Sequence, residues 1–343
     1  MKRVLLAGAG HAHALLLASL AKKPLAGAQV TVVSPERVQL YSGMVPGYLS
    51  GHYRLDEIGI DFARLCARCG ADFVQGSLAA LDAERRCATL ANGNVLAYDI
   101  ASLDVGSRTD DRLSGSEHAV TVKPLPGFIE RVLAIDKGRV AVIGGGAAGA
   151  ELSMALAARG LGVVLHADRA IEPPVREALR NAGVDTREVA VLSIGPGPAI
   201  DTKGTTERFD FAVLATGPAP HPWQRSAGVQ TDGSGFFLTD ALLRSVSRDD
   251  LFAVGDCATL RDAPHAKSGV FAVRQAPILE WNLRAMLGGG RLRAYRPQRR
   301  SLMLLSCGAR RTALLQWGAV RARGAWAWHL KDAIDRRFIA RFQ

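Results

Sequence analysis

Residues 144–149, Gly-Gly-Gly-Ala-Ala-Gly, form a complete GxGxxG between an apolar stretch, Arg139 to Ile143, and a helix-forming stretch reaching Arg159. A tight strand-to-helix turn of this kind receives the diphosphate of a dinucleotide. Gly144 permits the turn, Gly146 lets the diphosphate approach the backbone, and Gly149 lets the helix pack on the strand. The free N–H groups at the helix N-terminus then hold the anion. Glu151 follows in the GxxGxE position. A second loop, Gly8-Ala9-Gly10-His11-Ala12-His13, keeps two glycines and carries His13 where the third belongs. Late in the chain, LFAVGDCATL (residues 251–260) ends an apolar strand on Gly255-Asp256. There a carboxylate can accept from a polyol hydroxyl, and Gly255 allows close approach. Two glycine loops and a late Gly-Asp strand together point to two bound dinucleotides.

The elements that must position these loops follow the same grammar twice. Val4 to Ala7 reads as a strand, Ala14 to Ala21 as a helix, and Gln29 to Val33 as the next strand. About 135 residues later the order repeats, with Gly162 to Leu165 as the second strand. Asp72 to Gly76, Cys87 to Leu90 and Val95 to Tyr98 read as antiparallel strands, as does Val189 to Ile194 before Phe211 to Ala215. Ser268 to Leu287 is helical, with Pro277 marking a kink, and Ser301 to Leu305 pairs with Thr312 to Trp317. The fold class is α/β, with two Rossmann-like, doubly wound three-layer domains, one inserted in the other, and a small C-terminal element.

The chain has 343 residues, 48% hydrophobic and 22% charged, so it can bury ample core and is not disordered. Five scattered cysteines imply no disulfide framework, and no apolar run reaches membrane-spanning length. A cleavable leader would have to consume the first glycine loop. A cytoplasmic location is expected, or one on the cytoplasmic face of the membrane. The net charge of +11 is concentrated near the end. Arg284 to Gln343 holds thirteen arginines and one lysine against Asp332 and Asp335.

GAGHAH, the Gly255-Asp256 strand, SPERVQLYSGMVPGYLSGHY and PHAKSGVFAVRQAPILEWNL resemble the pyridine nucleotide-disulfide oxidoreductase superfamily, in its type II NADH dehydrogenase and sulfide:quinone reductase branch. The resemblance is closer still to the NADH-dehydrogenase-like flavoproteins fused to selenide, water dikinase, and it runs from Val4 to Phe342. It implies FAD on Gly8, Gly10 and Asp256, and NADH or NADPH on Gly144, Gly146, Gly149 and Glu151. YDIASLDVGS and FDFAVLATGP resemble the superfamily's strands with ATG-like turns, which marks Gly106 and Gly217 as close-approach glycines. Tyr41, Met44, Pro46, Lys267 and Gly269 are candidates for the flavin environment, and Lys267 could stabilise a reduced, anionic flavin or be a solvated loop lysine. His11 and His13 fit either the cofactor or a packed, hydrogen-bonded role. The implied domains are FAD-binding over 1–120 and 240–295, nicotinamide-binding over 121–239, and a basic C-terminal element over 296–343.

Departures from the family pattern leave several points open. Ser34 stands where an acid would take the FAD ribose, with Glu36 two residues on. His166, with Arg169 nearby, stands at the matching nicotinamide-side position, so either NADPH is an alternative to NADH or both are surface residues. The redox-cysteine CxxxxC is missing; Cys66 and Cys69 read as ordinary helix residues, and no metal site is expected. Cys307 is the one cysteine whose place could approach the flavin, the alternative being a small buried residue. In the helix where type II NADH dehydrogenases carry quinone-site glutamines, Val270 and Arg274 replace two and only Gln275 remains.

Hydride passing from nicotinamide to flavin N5 requires no triad, because the cofactor carries that step. The favoured function is thus FAD-dependent NAD(P)H oxidation with a quinone or another small acceptor. The alternatives are sulfide or selenide oxidation with transfer to quinone, and a flavin-bearing sensor or partner subunit in selenium metabolism. Trp326, Leu330, Ile334, Phe338 and Phe342 recur every four residues, with Lys331, Arg336, Arg337 and Arg341 on other faces. Such a helix either docks on an anionic membrane or packs its stripe on the domain or in a homodimer. Nucleic acid is not expected, since no binding module accompanies the charge.

Overall fold

Two parallel sheets carry the two glycine loops, as the repeated strand–turn–helix pattern predicts. The computed structural model describes residues 1–343. Its eight helices are α1 (His11–Leu20), α2 (Val45–Leu49), α3 (Phe62–Cys69), α4 (Leu125–Leu133), α5 (Ala147–Ala158), α6 (Pro173–Asn181), α7 (Gly269–Gly288) and α8 (Ala325–Ile339).

The first sheet has eight strands, and its N-terminal part is parallel: Ile100–Leu103, Lys2–Ala7, Ala28–Ser34 and Asp72–Gln75 lie side by side. Arg248–Ala253 joins Ile100–Leu103 in parallel from the far end of the sequence, which brings Gly255-Asp256 beside the first loop. Asp72–Gln75 is therefore a parallel edge strand and not part of the antiparallel group expected from the sequence. Its short, alternating segment looked the same either way; pairing decided it. α1 is apolar nearly all round and is covered by the sheet, α3 and α7, as such a helix must be.

The second sheet has five parallel strands in the order Val120–Thr121, Phe211–Leu214, Arg139–Ile143, Gly162–His166, Asp185–Arg187. All its strands lie between residues 120 and 214, so this unit is inserted between the two halves of the first sheet. Three-stranded antiparallel sheets flank both units, at 78–97 and at 191–208. The C-terminal element is a third, Leu302–Ser306, Ala313–Trp317 and Val320–Gly324, followed by α8. Its last strand, an arginine-rich Val-Arg-Ala-Arg-Gly, gave no clear period in the sequence. One apolar cluster of 54 buried residues runs through both units and takes in Phe338, Ile339 and Phe342, so α8 is packed on the body.

Candidate functional site

The two glycine loops meet the same steric demand in different ways. Gly144 has φ +125°, and a Cβ there would lie 2.2 Å from the Ala215 carbonyl oxygen. A Cβ on Gly149 would lie 1.9 Å from the Gly144 carbonyl oxygen, so helix and turn touch backbone to backbone. Nothing lies within 4 Å of a Cβ built on Gly146, which leaves the open side that a diphosphate needs. In the first loop, His13 occupies the place of Gly149 and is fully buried. Its Nδ1 bonds the Gly8 carbonyl oxygen at 2.7 Å and its Nε2 bonds Ser102 Oγ at 2.8 Å. Burial pushes His13 down to about 4, so a neutral imidazole bridges the turn to the next strand. His13 is a packed histidine.

Asp104, just past the strand Ile100–Leu103, completes this loop and escaped the sequence reading. It is buried, and its Oδ2 accepts the His13 backbone N–H at 3.0 Å. A Cβ on Gly10 would fall 2.2 Å from its Oδ1, and one on Gly255 2.6 Å from the same atom. Both glycines are therefore required to admit this carboxylate. Burial pushes it up to about 6, against the pull of the His13 N–H. Beside it, Asp256 is held by Lys123, whose Nζ lies 3.1 Å from Oδ2.

The remaining expected residues are placed as follows. Ser34 is buried and accepts from Gln39 Nε2 at 3.1 Å, which gives it a packing role. Glu36 is exposed at a groove of about 1040 Å³ that also includes Leu40, Leu55, Arg64 and Phe342. Gly106 and Gly217 have φ +68° and +113°, and no protein atom lies within 4 Å of their built Cβ atoms. Their backbone conformation calls for glycine, and the space beside them is open. His11 packs among Tyr41 and Phe338, with ring centroids 5.4 and 5.6 Å away, and Gly269 lies against its ring. Met44 and Pro46 are buried.

Lys267 is bonded to the neighbouring strand. Its Nζ bonds the Ala258 carbonyl oxygen and Thr259 Oγ1, and it lies 4.2 Å from the Phe236 ring centroid. The neighbouring strand offers it acceptors that the sequence could not show. Gln275 is also committed, since its Oε1 accepts the Gly255 N–H at 2.7 Å. His166 is buried with neither ring nitrogen bonded, and Arg169 is exposed beside Asp168 at 3.4 Å.

A second group of charges gathers where three parts of the chain meet. Glu151, on α5, accepts the Ser306 N–H at 2.6 Å, and burial pushes it up to about 7. Lys331 on α8 donates to the Gly43 carbonyl oxygen at 2.6 Å and to Asp335 Oδ2 at 2.8 Å. Tyr41 donates to Asp335 Oδ1 at 3.0 Å. Burial opposes the charge on Lys331, but Glu151 and Asp335 outweigh it and raise its pKa. The sequence had put Lys331 on a solvated basic face; it is only 8% exposed. The i,i+4 spacing to Asp335 was the available signal, because it neutralises the pair and lets that face turn inward. The expected apolar stripe is split accordingly, with Trp326, Leu330 and Ile334 exposed and Phe338 and Phe342 buried.

The thiols are those of packed residues. Cys307 is buried, its Sγ faces the Leu305 carbonyl oxygen at 3.6 Å, and burial pushes it up to about 11. Cys66 is pushed up to about 12 in the same way. A thiol so raised is a poor nucleophile at neutral pH.

No curated protein matches the chain by sequence. Among solved structures, the chain is similar to the sulfide:quinone oxidoreductase of the hyperthermophilic bacterium Aquifex aeolicus. That match has a TM-score of 0.81 at 15% identity and covers 100% of this chain and 91% of that one. It is also similar to NDH2 of Plasmodium falciparum in complex with NADH, with a TM-score of 0.80 at 12% identity, covering 99% and 97%. Against the water-forming NADH oxidase of Lactobacillus brevis the TM-score is 0.77 at 22% identity, covering 93% and 75%. The family model described as pyridine nucleotide-disulphide oxidoreductase matches residues 2–276. Since that match covers most of the chain, the chain belongs to the pyridine nucleotide-disulphide oxidoreductase family and is an FAD-dependent pyridine nucleotide oxidoreductase.

Proposed function

We propose that this protein oxidises NADH or NADPH through FAD and delivers the electrons to a quinone or another small acceptor. The observation that carries the reading is the buried group of Glu151, Lys331, Asp335 and Tyr41. It joins the helix after the nicotinamide loop, the C-terminal helix and the segment just after the short strand Val38–Leu40.

In this reading FAD lies over Gly8, Gly10 and the α1 N-terminus, with Asp256 accepting from its ribitol, in the unit formed by residues 1–120 and 240–295. The nicotinamide nucleotide lies over Gly144, Gly146 and the α5 N-terminus, in 121–239. The open space at Gly146, Gly106 and Gly217 fits this assignment. When bound, FAD supplies the ring that takes hydride and passes electrons on. Glu151, pushed up to about 7, is able to hold or release a proton at its carboxyl near neutral pH. Lys331 then favours the charged form of its neighbours, which suits a site where charge changes at each turnover. Packed thiols at Cys66 and Cys307 favour a small acceptor over a disulfide. The names of the similar structures include quinone and NADH as partners of those proteins, which agrees with this choice.

The C-terminal element supports docking on an anionic membrane surface. Leu302, Trp317, Val320, Trp326, Leu330 and Ile334 are its exposed apolar residues, and they sit in the arginine-rich segment. No helix is long and apolar enough to cross a membrane. Stopped-flow mixing of the yellow protein with NADH and NADPH, then with a short-chain quinone, tests the reading. Bleaching by nucleotide and recovery by quinone are expected. A flavin that neither nucleotide reduces would refute it.

A further inference from the structure

The cradle at the first glycine loop holds two carboxylates, Asp104 and Asp256, and the second lies close enough to disfavour charge on the first. FAD brings a diphosphate with two more negative charges, and α1 supplies only a partial positive charge at its N-terminus. An arrangement of this sign needs a cation. Lys267, the lysine that the sequence pointed to, is bonded elsewhere.

Lys123 is the cation paired directly with one of these carboxylates. It stands between the strand Val120–Thr121 and α4, where the chain enters the nicotinamide unit. Its backbone is fixed on both sides: its N–H donates to Thr109 Oγ1 at 2.9 Å and its carbonyl oxygen accepts from Thr121 Oγ1 at 3.0 Å. Its Nζ reaches across the unit boundary to Ser107 Oγ at 2.9 Å and Asp256 Oδ2 at 3.1 Å. An ammonium has three donor hydrogens, and these partners use two. The side chain is 36% exposed, so the third is directed at no protein atom. Lys123 is also the nearby cation that disfavours charge on His11, in the loop itself.

We propose that Lys123 is an FAD-holding residue, donating its remaining hydrogen to an oxygen of FAD and offsetting the charge of the two carboxylates beside it. The inference rests on the FAD reading of the first loop. Because Lys123 belongs to the entry of the nicotinamide unit, it also ties the retention of one cofactor to the placement of the other unit.

Full-length protein stripped of FAD and titrated with it, followed by quenching of flavin fluorescence, tests this. A charge-assisted hydrogen bond of ordinary strength predicts that Lys123→Met weakens FAD binding roughly ten- to a hundred-fold. The salt dependence of binding should become shallower, since one screened attraction is gone. Lys123→Arg should recover most of the affinity. NAD(P)H binding to Lys123→Met shows that the inserted unit is still folded. Binding of FAD to Lys123→Met within twofold of the parent, with the same salt dependence, overturns the inference. So does a variant pair, Lys123→Met and Lys123→Arg, that melts lower and loses FAD equally, because the lysine is then only structural. A parent protein that binds no FAD at all refutes the functional reading itself, which keeps the two failures apart.

Discussion

Replacing Asp104 by asparagine should change how the stability of the FAD-free protein depends on pH. The carboxyl is buried and pushed up to about 6 from an ordinary 3.8. That difference of roughly two units corresponds to ~3 kcal/mol, at about 1.4 kcal/mol per unit. The folded-state value lies above the unfolded one, so the folded protein binds the extra proton between the two. The cost of the buried charge is absent below pH 4, grows as the pH rises through 6, and is constant above. Asparagine keeps an oxygen for the His13 N–H but cannot ionise in this range. Relative to the variant, the parent should therefore lose ~3 kcal/mol between pH 4 and pH 8. For a chain of this size that is on the order of 5 °C in melting temperature. Glu151, pushed up to about 7, adds its own slope to both proteins and cancels in the difference. Thermal melts of both proteins from pH 4 to pH 8.5 read the effect. Parallel curves would show that Asp104 is not buried as a charge, and the account of the first loop would fail.

Four further perturbations test the site and the C-terminal element. Gly149→Val should abolish flavin reduction by NAD(P)H while leaving FAD bound, since a Cβ there meets the Gly144 carbonyl oxygen at 1.9 Å; nucleotide titration beside FAD content checks it. A Cys66→Ser/Cys69→Ser protein should reduce its flavin at the parent rate and lose only about 1–2 kcal/mol of stability, from the hydroxyl buried at Cys66. Serine at Trp326, Leu330 and Ile334 together should lower co-sedimentation with anionic vesicles without lowering the melting temperature, because all three are exposed. Removing residues 326–343 should instead destabilise the protein, since Phe338 and Phe342 are core.

Both glycine loops, the Gly-Asp strand and the α/β class were legible in the residues because each depends on local chemistry. A GxGxxG turn states its own steric demand: Gly144 and Gly149 are glycine because backbone atoms lie where their side chains would be. The apolar, helix-forming composition of α1, α5 and α7 is likewise a property of the segment itself. What tertiary structure decided was which polar groups are spent on the protein. Lys267 and Gln275 had the right neighbours in sequence, yet strands arriving from elsewhere supply the partners that occupy them. Lys123 and Asp104 carry no motif, and their meeting with Asp256 and Gly10 follows from pairing between distant strands. α8 shows the division within one helix. Its sequence offers an aromatic stripe and a basic face, and both are amphipathic in isolation. The body has a place for Lys331 only because Glu151, Tyr41 and Asp335 stand around it. Burying a charge is unfavourable until partners from other segments compensate it, and no single segment can announce partners it does not contain.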